Sequence, residues 1–280
     1  MKKIFFLLLI FTILYGNAFC ENAKRTKAVQ LKDQGNSAMV SGDDDKALKL
    51  YMQSIKTDPS YANPYNNIGM ILDKRGDKEK ALAYYKKAIA LDKTLYQPVI
   101  NIAFIYFYDG EYSKAKEYCE QAKTLSSKDS DVYNLTGQLL EKEGESSKAE
   151  AQYKQALSTS PKDFRGYYNL GTLYLNGGYD ESAEKYLIQA VKLAPNDMPS
   201  LFNLAQAEKK CNKLNNSEKH FAMFLEKRPN DKEALFNMGQ VKIKLKKNQE
   251  AAFYLKKFIE VAPSDPRVSD VRKFLGQYRS

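Results

Sequence analysis

Apolar residues along this chain recur at intervals of three and four, the spacing of one buried face of a helix, and the phase of the pattern repeats every 34 residues. No insertion interrupts it between Ala28 and Asp265, which gives seven registers: 28–61, 62–95, 96–129, 130–163, 164–197, 198–231 and 232–265. The eighth position of each is small: Gly35, Gly69, Ala103, Gly137, Gly171, Ala205 and Gly239. The twentieth is small as well, from Ala47 through Ala183 to Ser217 and Ala251. Cut-back side chains at those places let two antiparallel helices approach closely, and large neighbours such as Tyr51, Tyr85, Tyr153 and Phe221 at position twenty-four fill the space between them.

Punctuation falls where a hairpin of helices needs it. Gly42, Gly76, Gly110, Gly144 and Gly178 occupy position fifteen, where the first helix must end and the chain turn. Pro59, Pro161, Pro195, Pro229 and Pro263 occupy position thirty-two, closing the second helix, because proline lacks a donor and disfavours helix in its predecessor. Each register is therefore predicted to be a helical hairpin. Residues 21–27 read as a short leader. The stretch 266–280 reads as a capping helix and tail, with Val268, Val271, Phe274 and Leu275 at helical spacing.

On these residues the chain resembles the tetratricopeptide repeat family. That resemblance implies an all-α, right-handed superhelical solenoid of seven repeats with first helices lining a concave face. Registers six and seven depart from the others. They carry Phe224 and Phe258 at the otherwise small position twenty-seven, and Glu208 and Lys242 at position eleven, where Leu72, Tyr106, Leu140 and Tyr174 stand earlier. Packing is expected to differ there.

The first twenty residues change the cellular picture. Lys2 and Lys3 precede an apolar run from Ile4 to Leu14, then small or polar residues, the pattern of a secretory signal peptide over 1–20. The run is about half the length of a membrane span. Cleavage after this region gives an exported soluble protein, periplasmic or secreted. Acylation of Cys20 instead gives a membrane-anchored lipoprotein, although Phe19 stands where such signals carry a small residue. Cys119 is expected to be buried and Cys211 to be exposed or to lie in a turn, three registers apart and so unable to form a disulfide.

Formal charge is +10, and it is uneven: residues 198–280 hold 17 basic and 9 acidic side chains, whereas residues 21–197 balance at 25 of each. The excess favours acidic partners or an anionic envelope surface for the C-terminal repeats, notably through Lys242, Lys244, Lys246 and Lys247. An exported protein seldom meets nucleic acid, so none is expected as partner.

Candidate chemistry is sparse. One histidine, His220, reads as a rim side chain, and no catalytic triad, metal-spaced cluster or phosphate loop is present. Asp43, Asp44 and Asp45 read as solvated helix-start residues. No enzyme activity, cofactor, metal or small-molecule substrate is expected. A protein or peptide partner is expected instead, held along the first helices of a scaffold; the alternative is a structural assembly factor or lipoprotein that docks on a membrane-bound complex through its outer surface and basic C-terminal repeats. Asn67, Asn101, Asn169, Asn203 and Asn237 recur at position six, and a row of amides can pair with the backbone of an extended peptide. Ile100, Phe104, Phe107 and Tyr108 form an apolar stripe, and Tyr168, Phe202 and Phe236 occupy position five; both sets are candidate anchors. Lys32, Asn36 and Asn67 resemble three of the five residues with which heat-shock co-chaperones clamp a C-terminal carboxylate. Gln97 and Asn101 stand at the remaining two places, where cations are needed.

Overall fold

In the computed structural model, the backbone is described for residues 2–277 and side chains for residues 21–277; these form fifteen helices and no strand. The side chains of residues 1–20, Cys20 among them, and the tail residues Tyr278 to Ser280 lie outside the described residues. Two compact units divide the chain. Met1–Ser127 contains α1 (Lys2–Val40), α2 (Asp44–Thr57), α3 (Ala62–Lys74), α4 (Lys78–Leu91), α5 (Tyr96–Tyr108) and α6 (Tyr112–Leu125). Lys128–Ser280 contains α7 (Ser130–Lys142), α8 (Ser146–Thr159), α9 (Phe164–Asn176), α10 (Asp180–Leu193), α11 (Met198–Lys210), α12 (Leu214–Lys227), α13 (Lys232–Lys244), α14 (Asn248–Val261) and α15 (Val268–Gln277). Residues 21–27, expected as a separate leader, continue α1 without a break.

Consecutive helices pair as hairpins, and first helices stack on first helices within each unit: α3 on α5, α9 on both α7 and α11, and α11 on α13. The turn after α3 shows how the chain reverses in so few residues. Gly76 adopts φ +82°, and the Asp77 N–H returns to the Leu72 carbonyl at 2.9 Å, closing the carbonyl end of the helix. The Asp77 carboxylate then accepts from the Lys80 N–H and opens α4. In the last two hairpins the same left-handed position is filled by Asn212 (φ 58°) and Lys246 (φ 60°).

Within a hairpin the small residues do what their size allows. A Cβ at Gly69 would sit 2.6 Å from the Tyr85 ring, so only a bare backbone admits that fully buried tyrosine. In Met1–Ser127 the core runs through Tyr51, Ile68 and Ile71, then through Tyr85, Ile102 and Ile105. The end of Lys128–Ser280 is built differently, on rings: Phe221, Phe224 and Phe258 are buried with Leu201, Leu235 and Leu255. Val268 and Val271 of α15 seal that cluster, with Phe274 and Leu275 packed against it. Cys119 is buried and Cys211 is part-buried in the turn after α11; neither is in a disulfide.

Candidate interaction faces

On the first helices of Met1–Ser127 the expected amides do converge, but largely on one another. The Tyr51 hydroxyl donates to Asn36 Oδ1 at 2.8 Å, and Asn67 Nδ2 donates to the same oxygen at 2.9 Å. Asn66 donates to Asn67 Oδ1 at 3.3 Å, and Asn101 reaches Asn66 Oδ1 at 3.4 Å. This chain of side chains stitches α1, α3 and α5 together. Each amide has two donor hydrogens and two acceptor lone pairs, so the half-buried Asn67 and Asn101 keep capacity for a ligand.

Lys32, Asn36 and Asn67 share a recess of about 180 Å³ with Asn66 and Gln97. Its single cation is already engaged, since Lys32 Nζ donates to Asp33 Oδ1 at 2.5 Å. Burial alone would lower the Lys32 pKa, but Asp33 and the Tyr61 phenol together raise it above its usual value.

The apolar stripe of α5 divides. Ile100 is fully buried and belongs to the core, not to a ligand face. Phe104 and Phe107 are half-buried, and Tyr108 is 72% exposed. These three form one aromatic group: Phe104 lies 6.4 Å from Tyr108, which meets Phe107 edge-on at 5.5 Å.

In Lys128–Ser280 three further expectations need correction. Phe202 lies 5.2 Å from Phe224 and 5.7 Å from Phe221, while Phe236 lies 5.2 Å from Phe258 with the Arg267 guanidinium 4.4 Å from its centroid. Both rings are part of the hairpin packing, and Tyr168 is half-buried against the cluster around Leu187. Helical geometry explains this together with Ile100. Position five lies about 60° around the helix from the small eighth position, so it flanks the packing face instead of opposing it.

Position six points the other way, but Asn169 and Asn237 there are more than nine-tenths buried. Asn169 donates to Asn134 Oδ1 at 3.1 Å, and Asn237 donates to the Glu233 carbonyl at 2.7 Å. Asn203 remains half-buried and donates to Thr172 Oγ1 at 2.9 Å. The row is thus a set of ties between and within first helices, with free amide capacity at some positions only.

Position eleven replaces aromatic packing with charge. Tyr174 stacks on Tyr186 at 5.5 Å, and burial with the Glu150 carboxylate beside it pushes its pKa up to about 12. At the equivalent places of the next hairpin, the buried Glu208 carboxylate meets His220 Nδ1 at 2.7 Å, so His220 is half-buried and not on the rim. In the last hairpin Lys242 is buried and donates to Glu218 Oε1 at 2.6 Å and to Glu250. Lys247 also binds Glu218, at 2.9 Å. Two of the four lysines expected to form a free basic patch are therefore neutralised internally.

Among the described residues no helix is long and apolar enough to cross a membrane, and no cluster of three or more His, Cys, Asp or Glu could hold a metal ion. Tetratricopeptide repeat profiles match residues 62–95, 97–129, 130–163, 164–197 and 232–265, together more than half of the chain. Solved structures share the fold. YrrB, described as a TPR protein with an unusual peptide-binding site, superposes with TM-score 0.58 at 24% identity over 68% of this chain and 97% of that one. Pseudomonas aeruginosa pilF gives TM-score 0.69 at 18% identity, covering 77% of this chain and 98% of that chain. A chain of the APC/C hetero-tetramer Cut9-Hcn1 gives 0.70 at 19% identity, covering 85% and 47%. No curated protein matches the sequence. Proteins built on this repeat are generally scaffolds that bind proteins or peptides.

Proposed function

The chain belongs to the tetratricopeptide repeat family, and from that premise we propose that it is a non-enzymatic scaffold of the cell envelope or exterior. It holds an extended segment of a partner protein along the faces of its first helices. The observation that carries this reading is the face of α1, α3 and α5, where amides with spare hydrogen-bonding capacity lie on the same helices as an aromatic group that ends in the exposed Tyr108. Amides pair with the backbone of an extended chain whatever its sequence, and a rigid aromatic supplies contact area at little entropic cost. The recess at Lys32 contributes polar contacts, while its single, already paired cation makes it a weak receiver of a terminal carboxylate. Export rests on the apolar run Ile4 to Leu14 behind Lys2 and Lys3.

The test is selection of binding peptides from a displayed random library on the full chain, followed by titration against variants. Tyr108→Ala with Phe104→Ala, and separately Asn67→Ala with Asn101→Ala, should each weaken the selected peptides about tenfold or more, a loss of about 1.4 kcal/mol. Retained affinity in both pairs, with circular dichroism unchanged, refutes the assignment of this face.

A further inference from the structure

Charge in the last third of the chain separates into lysines that are answered within the fold and lysines that are not. Lys213 is held by Glu184 at 2.7 Å, Lys242 by Glu218 and Glu250, Lys247 by Glu218, and Lys232 by Asp265 at 3.4 Å. Lys209 and Lys244 are different. Lys209 is half-buried, and its Nζ donates only to neutral oxygens, Asn237 Oδ1 and Gln240 Oε1, the latter at 2.8 Å. Lys244 is exposed, and among the described residues neither lysine has a carboxylate partner. Lys210 stands beside them with one acid, Asp180, at 3.4 Å.

All three stand on first helices: Lys210 and Lys244 at position thirteen of consecutive registers, about 140° around the helix from the small eighth position, and Lys209 at position twelve, whose Nζ reaches the position-six and position-nine amides Asn237 and Gln240 of the next first helix. Burial pushes the Lys209 pKa below its usual value, and the neighbouring Lys244 and Lys210 push it the same way. A part-desolvated cation among like charges is an unfavourable arrangement for the free protein, and an incoming carboxylate would relieve it.

We propose that the α11–α13 face is a receiver for an acidic, extended polypeptide segment, with Lys209, Lys210 and Lys244 pairing its Asp or Glu side chains. This rests on the scaffold reading and adds the chemistry of the partner. An extended chain is favoured over a small anion because the cations are spread over two stacked helices. Packed helices lie about 8–10 Å apart, the reach of about three residues of extended chain. Gln206 and Gln240, half-buried at position nine of the same two helices, supply amides for the backbone between successive acids.

The experiment uses the full chain and two fluorescein-labelled dodecapeptides, identical except that glutamates at every third residue are glutamines in the second, with inorganic polyphosphate as a third probe. Anisotropy at about 50 mM salt should show the glutamate peptide binding at least about tenfold tighter, with the difference collapsing as salt rises and screens the charges. Lys209→Gln with Lys244→Gln should abolish that discrimination, and Lys244→Gln alone, at an exposed side chain outside the fold's ion pairs, should reduce it. Lys219→Gln with Lys256→Gln, which removes the same charge from exposed second-helix sites, should leave it intact. Discrimination that survives the first pair, or falls equally in the second, overturns the site. Polyphosphate binding that depends on Lys209 while neither peptide binds overturns the polypeptide assignment. Equal affinity for both peptides overturns this inference alone, leaving the scaffold reading in place.

Discussion

The first-helix face of α1, α3 and α5 and that of α11 and α13 are built on equivalent helices of the repeat, yet they end in different electrical states. In the former the one recessed cation, Lys32, is bonded to its neighbour Asp33, and the amides around it bond to each other, leaving a neutral surface. In the latter Lys209 finds only amide oxygens and meets two more lysines. The fold supplies the helices in both cases. What a partner experiences depends on which charges the protein has already neutralised within itself, a property that net charge does not report.

The largest test of that contrast concerns what supports each face. Position twenty-seven is Ala88 and Ala122 beneath the neutral face, but Phe224 and Phe258 beneath the cationic one, where Phe236 leans on Phe258. Phe258→Ala should cost about 3–5 kcal/mol in urea unfolding and disable the α11–α13 face, because it empties a fully buried site. A loss under 1 kcal/mol would mean that the rings are not the foundation of that face.

Next in size is the contrast between an answered lysine of α13 and an unanswered one of α11. Lys242 lies between two carboxylates, and although burial alone would lower its pKa, Glu218 and Glu250 raise it overall. Lys242→Met should destabilise by about 1–3 kcal/mol, whereas Lys209→Met should be neutral or stabilising, since it removes a part-buried charge that no acid answers. Equal losses in urea titrations would erase the distinction between answered and unanswered cations.

Acid should separate the end of the second unit from its middle. Glu233 and Asp265 are held below the usual carboxylate range chiefly by bonds to Arg267, which also touches Phe236 and Phe258. Their folded pKa values lie below the unfolded ones, so their contribution is complete above about pH 4–5 and is lost as pH falls through the folded values. The hydrogen-exchange protection factors of α15 amides, corrected for the intrinsic rate, should fall below about pH 4 ahead of those in α9, whereas a uniform fall would assign the acid response elsewhere.

The smallest effect sharpens the turns. Lys246 holds φ +60° where five other hairpins use glycine, so Lys246→Gly should gain about 0.5–1 kcal/mol, read as a rise in melting temperature. An unchanged or lower melting temperature would show that the left-handed lysine carries no cost.

Helix pairing was legible in the chain because Gly69 and Tyr85, or Gly76 and Pro59, obey local rules that recur in register. The faces were less so. Ile100, Phe202 and Phe236 looked available because their spacing fits a stripe, and only the angle from the eighth position turns them inward. The lysines at positions twelve and thirteen could have been read by following the first helices through registers six and seven. Which cations remain free could not, since Lys242 is quenched by Glu218, 24 residues away on another hairpin, and such pairing exists only once the hairpins stack. Glu208 and His220 pair within one hairpin, and their contact is legible in the chain only as a departure from the aromatic pattern.

Partner binding along the first helices is most directly tested by amide spectra of the full chain titrated with the glutamate dodecapeptide. Shifts should concentrate on Gln206, Lys209, Gln240 and Lys244, with exposed second-helix residues such as Lys219 and Lys256 unmoved. Shifts confined to α12 and α14, with α11 and α13 silent, would contradict it.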